Sequence, residues 1–299
     1  NTLTSILTIR FFTGFFLAGI YPVGMKIAAG FFEKGLGKSL GFLVGALVVG
    51  TALPHLLKEA TATFSWTYVL LITSTLAALG GVLMVALVPD GPFRKPSQQL
   101  QLSAFYSIFK KRSFRSAAFG YFGHMWELYA FWAFVPVMLQ SYARTHPEVS
   151  FNVPLLSFLI IGIGGLSCVL AGYLAQAYGA KRVASSALCL SGLCCLLSPV
   201  LFASSSAMLF VSFLLFWGMV VIADSPLFST LVAQHAPPAL KGTALTIVNC
   251  VGFAITILSI QLLTQLSTVS DTLLLYVVLA IGLVLGLVAL WGRELFAGK

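Results

Sequence analysis

Nine apolar stretches, each long enough to cross a bilayer as a helix, follow one another along this chain, and nearly all the charge falls in the seams between them. Spans of about 20 residues fit the roughly 30 Å hydrocarbon core. A helix satisfies its own backbone groups where no water can. Hydrophobic residues make up 59% of the 299 residues and charged residues 8%, too little polar surface for a soluble chain of this length. The pattern predicts an all-α, polytopic transmembrane protein, with spans over residues 3–29, 39–57, 66–88, 115–140, 153–178, 183–203, 206–230, 241–265 and 272–292.

A net charge of +9 could suggest a nucleic-acid partner, but its distribution excludes that reading. If the spans alternate, thirteen of the seventeen Lys and Arg lie on one side, among them Lys34, Lys38, Lys110, Lys111, Arg112, Arg115, Lys181 and Arg182. Only Lys58 and Arg144 lie on the other, while Arg10 and Lys26 sit within the first span. The positive-inside rule assigns the basic side, and with it the C-terminus, to the cytoplasm. All five cysteines fall inside spans without a C-x-x-C pair, as small hydrophobes do. No cleavable signal is recognisable, and the opening Asn1 suggests that the natural chain starts further upstream.

The longest polar break, 89–114, reads as a cytoplasmic linker, with a short amphipathic helix over Leu102–Phe109 lying against the membrane. It divides three spans (1–88) from six (115–299). Pro22 near the inner end of the first span answers to Pro226 near that of the seventh. Each is followed by a short seam and a small-residue-rich helix start, Gly37 to Gly41 beside Gly242 to Thr246. A repeat of roughly 200 residues thus pairs spans one to three with seven to nine. Spans four to six have no partner here, so the repeat predicts three further helices ahead of residue 1.

Several patterns resemble the major facilitator superfamily of secondary transporters. Arg10, Gly14 and Ala18, followed by Pro22, are similar to its fourth-helix pattern, with Phe16 where that pattern has Gly. The seam from Gly172 to Arg182 (GYLAQAYGAKR) is similar to its short cytoplasmic-loop motif, with Gln176 in place of the usual Asp. Gly172, Gly179, Lys181 and Arg182 match that motif, whereas the latching charge expected at Gln176 is missing. Trp66 opening the third span and the run from Pro89 to Pro92 closing it also fit the family. The resemblance implies two pseudo-symmetric helical bundles joined by the linker, this chain supplying helices four to twelve and the first bundle lacking three. It further implies a multi-pass protein of a cell membrane (the bacterial inner membrane), a small-molecule substrate, no cofactor or metal, and action as a monomer.

Ionisable residues inside the spans are few, and each costs about 2.5–3.5 kcal/mol at mid-membrane on insertion scales. Arg10, too deep to snorkel easily, reads either as a cavity cation for an anionic substrate or as half of a structural ion pair. Glu127 lies about 18 Å into its helix, near the midplane. His124, Glu127 and Phe131 share one face of an aromatic-rich stretch that includes Trp126. A carboxylate in such a wall suits a site that loads and releases a proton, and equally a structural hydrogen bond, to Arg10 among other candidates. Asp224 precedes Pro226, where the helix should kink or break; it reads as binding site or gate. In the family's fold, helices one, four, seven and ten line the cavity, and Arg10, Glu127 and Asp224 fall one on each of the three present. Asn249, followed by Gly252, is similar to a helix of the family's nitrate porters, although the second span has no Asn and the fifth no Arg.

Glycines in the second and fifth spans permit close approach, whether for rocking of one bundle on the other or for static packing. The second span lacks the Gly-Pro pair common in the family's antiporters. The reading is therefore a proton-coupled secondary transporter, by symport or uniport. The alternatives are a drug or metabolite efflux antiporter, or a transporter-like sensor that moves nothing. An intramembrane enzyme is disfavoured, since His124 has no nucleophile one turn away.

Overall fold

A computed structural model of the chain describes residues 3–32, 36–61, 63, 65–93, 104–237, 240–269 and 274–296. In order the helices are α1 (Leu3–Ala18), α2 (Ile20–Phe31), α3 (Leu36–Ala60), α4 (Thr67–Leu87), α5 (Ala104–Lys110), α6 (Arg112–Thr145), α7 (Val153–Gly162), α8 (Gly164–Tyr178), α9 (Ala180–Phe202), α10 (Ala207–Ala223), α11 (Ser225–His235) and α12 (Lys241–Val269). A 3-10 turn, Leu275–Leu279, leads into α13 (Ala280–Phe296). No strand occurs among the described residues.

Every expected span corresponds to one helix or a broken pair. Among the described residues, seven are long and apolar enough to cross a membrane. Of the other two, the 34-residue α6 is interrupted by His124 and Glu127, and Leu275–Trp291 is apolar but shorter. Lys34, Arg94, Lys95 and Lys299, and the first two residues of the expected linker helix, lie outside the described residues.

Three helices are discontinuous. The first span breaks at Gly19, three residues before Pro22, and the seventh at Asp224, two before Pro226. The repeat is thus visible as a shared interruption, not only as shared prolines. The third break, at Ile163 between Gly162 and Gly164, was not expected; no proline marks it. One face of the linker helix α5 packs onto α6, which the sequence did not indicate: Ile108 is fully buried, and the Phe109 and Phe114 rings meet edge-on at 5.2 Å. Burying Ile108 in protein gives it dispersion contacts that a headgroup layer does not supply.

Helix α3 packs closely and antiparallel along the α7–α8 pair. Glycines set its spacing. A Cβ added at Gly41 would stand 2.7 Å from the Cys168 carbonyl oxygen, and one at Gly45 2.7 Å from that of Gly165. Gly172 comes equally close to Gly37, with 3.0 Å to its carbonyl oxygen. Lipid tails are as apolar as leucine, so close backbone packing replaces the hydrophobic drive here. At the far end Asn152, which caps α7 by accepting from the Leu155 N–H, donates to Glu59 at 2.7 Å. In contrast, α1 and α4 carry no buried residues.

The second part of the chain is densely packed around α6. Phe131, Trp217, Phe210, Tyr142 and Tyr276 are all fully buried. The Tyr142 ring is sandwiched between His146 and Phe210, at 4.1 and 4.0 Å. Placing Val at position 45 should push α3 off α8 and cost about 1–3 kcal/mol. The expected result is a lower unfolding temperature in detergent for Gly45→Val. Gly50→Ala, where an added Cβ meets nothing within 4 Å, should leave it unchanged.

Candidate substrate and proton site

Four side chains of α6 face four different helices, and glycines bring those helices close. Gly252 of α12 leaves room for the Tyr121 ring; a Cβ there would approach its Cε1 to 2.7 Å. The Tyr121 hydroxyl consequently donates to Asn249 Oδ1 at 2.8 Å, joining α6 to α12. Gly120 makes the same allowance for Phe228 of α11, whose ring centre is 6.0 Å from that of His124.

One turn deeper, His124 faces the break between α10 and α11. Pro226 has no N–H for the carbonyl of Ile222, four residues back. That carbonyl is met from α8 by the Cys168 thiol at 3.4 Å. Asp224 keeps right-handed helical φ/ψ and accepts the N–H groups of Leu227 and Phe228 on its own carbonyl, starting α11. Its carboxylate lies 2.8 Å from His124 Nδ1, both side chains essentially inaccessible. The two atoms face each other off the hydrogen-bond axis, and His124 Nε2 and Asn249 Nδ2 are buried without a protein partner.

Glu127, at 1% exposure, lies one turn further along the same side of α6. Its Oε1 accepts from Trp217 Nε1 at 2.7 Å and from the Cys195 thiol at 3.2 Å. The Ser191 hydroxyl lies 2.8 Å from both carboxylate oxygens. The carboxylate thereby ties α6 to α9 and α10. The structural alternative raised for Glu127 takes this form, with these three donors in place of Arg10.

The structure brings His124, Asp224 and Asn249 together, with Glu127 one turn away on the same helix. It separates Arg10, which is exposed on α1 and takes no part in the cluster. Trp126 packs toward α13, its indole N–H reaching the Val278 carbonyl at 3.4 Å and its ring crossing Gly282. Sequence reasoning missed Tyr121, Ser191 and Cys195. A signal for the last two existed: Ser191, Cys195 and Ser198 recur at i, i+4 and i+7, a polar stripe on an otherwise apolar α9. Cys195 was read as a small hydrophobe, yet its thiol is a donor to a buried carboxylate.

The loop-motif residues gather at the other end of the molecule. Gly179 has φ +85° and links α8 to α9 in a conformation that only glycine adopts freely. Exposed Gln176 lines a cavity of about 700 Å³ together with Gly37, Gly172, Thr230 and Gln234. Lys181 lies 3.7 Å from the centre of the Trp291 ring, and Arg182 is exposed.

Comparison with known families matches residues 1–260 to the sequence model of the Major Facilitator Superfamily. No curated protein matches significantly.

Trp217→Phe keeps the ring and removes one donor from a buried carboxylate. Hydrogen bonds to charged groups are worth about 1.5–3 kcal/mol. The purified variant should therefore unfold at lower temperature. The loss should shrink when Glu127→Gln is already present, which a double-mutant cycle measures.

Proposed function

The chain belongs to the major facilitator superfamily, a family of secondary transporters of small molecules embedded in membranes, and we propose that it carries a small polar solute together with a proton by alternating access. Its solute site comprises His124, Asp224, Asn249 and Tyr121. One observation carries this reading. His124 Nε2 and Asn249 Nδ2 are buried donor–acceptor atoms without protein partners, beside a close His–Asp pair at a helix break. Buried polar atoms are otherwise nearly always paired, and a helix break is where membrane transporters expose polar groups to a solute.

Glu127 is the proton carrier. Both of its protonation states keep a partner: the Ser191 hydroxyl, equidistant from the two oxygens, donates to the carboxylate and can accept from the acid. The Trp217 N–H serves either state. Arg10, standing apart, is left to a role on the face of α1. Residues 1–88 form part of one bundle, 89–114 the linker and 115–299 the other. The glycine-spaced contact of α3 with α8 is the surface on which the bundles rock. The basic seams face the cytoplasm of a cell membrane, with the C-terminus inside, and the monomer is the working unit. The absent Gly-Pro pair in α3 favours symport.

The test uses the chain in proteoliposomes loaded with a pH-sensitive dye, screened with small polar solutes for solute-driven proton entry. With the responding solute, Glu127→Gln should lose pH-driven accumulation and retain solute exchange. Asp224→Asn and Asn249→Ala should weaken both about tenfold or more, as expected when a hydrogen bond of about 1.5–3 kcal/mol is lost. Unchanged pH-driven accumulation in Glu127→Gln would sink the proton assignment.

A further inference from the structure

A second polar feature of the bundle lies at the opposite end of α6 from Arg144, away from the His124 cluster. A cavity of about 520 Å³ opens there between the starts of α6 and α9 and the ends of α11 and α13. Arg112, Arg115, Lys181 and His235 line it, and no Asp or Glu among the described residues does. Both arginines are exposed. Lys181 is held over the Trp291 ring, which is itself fixed by donating to Ser185 Oγ at 2.6 Å. His235 Nδ1 sits 2.8 Å from the Leu231 carbonyl, so Nε2 is the ring nitrogen available to a ligand. The Ser116 hydroxyl donates to the Ala289 carbonyl at 2.7 Å and ties α6 to α13 at the cavity wall.

Two further features point the same way. Neither α6 nor α9 has a side-chain cap at its N-terminus, so the first-turn N–H groups add positive field to the cations. The lining also includes Phe119 and Val288, which are 50% and 48% exposed and, on membrane-spanning helices, face hydrocarbon. A cationic mouth continuous with an exposed apolar wall matches an amphiphile with a phosphate head. A free phosphate would satisfy the cations and make no use of the wall. Basic pockets between transmembrane helices on the cytoplasmic side bind anionic lipid heads in this manner, and an indole at that level is typical of the interface.

We propose that this cavity is a binding site for the headgroup of an anionic phospholipid from the inner leaflet, gripped by Arg112, Arg115, Lys181 and His235. Such a lipid bridges α6 and α11, the helices that carry His124 and follow Asp224. The site therefore touches the moving parts without belonging to the solute site.

The test is lipid retention by the purified full chain in native mass spectrometry, with phosphatidylglycerol and phosphatidylcholine supplied in equal amounts. Wild type should retain phosphatidylglycerol in preference. Arg112→Ala with Arg115→Ala should reduce that retention about tenfold or more, given roughly 1 kcal/mol per basic residue near an anionic surface. Arg112→Lys with Arg115→Lys, which keeps the charge, should retain the lipid, and so should Arg144→Ala at the far end of α6. Equal retention of the two lipids by wild type would overturn the proposal. So would full retention by the double alanine variant, or loss in the double lysine variant with unfolding temperature unchanged. Inorganic phosphate binding the lipid-free protein as tightly as phosphatidylglycerol does would reassign the pocket to a soluble anion.

Discussion

Inside a bilayer core there is no water to accept a hydrogen bond, so each backbone or side-chain group released from a helix must find its partner within the protein. Much of the polar chemistry of this chain follows from that constraint. Pro226 releases the Ile222 carbonyl, and Cys168 answers it from a neighbouring helix. Pro199 releases the Cys195 carbonyl, and Ser198 answers from the next position at 2.8 Å. Threonines along α1, α3 and α4 fold their hydroxyls onto carbonyls four residues back. Glu127, the most demanding group of all, is given three donors from two helices. Against this background a few buried polar atoms remain without a protein partner, at His124, Asp224 and Asn249 and also at Trp132, Ser157 and Tyr276; the first three lie together.

The same absence of water changes what holds the helices together. Apolar burial yields little where lipid competes for the same surface, and the closest approaches occur where side chains are smallest. Gly41, Gly45, Gly165 and Gly172 bring α3 and α8 into backbone contact. Gly120 and Gly252 meet side chains of neighbouring helices around the Tyr121–His124 face. The two uses differ in consequence. Along α3 and α8 the contact is a smooth, nearly side-chain-free seam, suited to sliding. Around the Tyr121–His124 face Gly252 and Gly120 instead make room for the Tyr121 and Phe228 rings.

The spans and the break before Pro226 were legible in the sequence because each follows from local properties: hydropathy and a missing N–H. The partners of Glu127 were not, because they depend on how α9 and α10 rotate against α6. The Ser191–Cys195 stripe becomes informative only once that rotation is known. The break at Ile163 carries no proline, and glycine in a transmembrane helix is too common to mark one. Arg10 drew notice through the rarity of intramembrane cations. Rarity says nothing about which face a residue occupies, and α1 presents Arg10 outward. The buried Ile108 of α5 was likewise hidden, since an amphipathic heptapeptide suits a membrane surface and a protein groove equally well.

The α10–α11 break is where these strands of chemistry meet. Its upper carbonyl is held by Cys168 of α8, the helix that bears the glycine seam with α3. Just below, Ser229 shares a hydrogen bond of 3.2 Å with Tyr21 of α2, and Thr230 lines the same cavity as Gly37 and Gln176. Between those attachments sits Asp224, facing His124. A displacement of α3 or α2 against the second bundle is thus delivered to both ends of the short segment carrying Asp224. An unbroken helix would spread such a displacement along its length. The interruption concentrates it at the Ile222 carbonyl, which Pro226 leaves without its helical partner, and this gives the neighbouring carboxylate its place there.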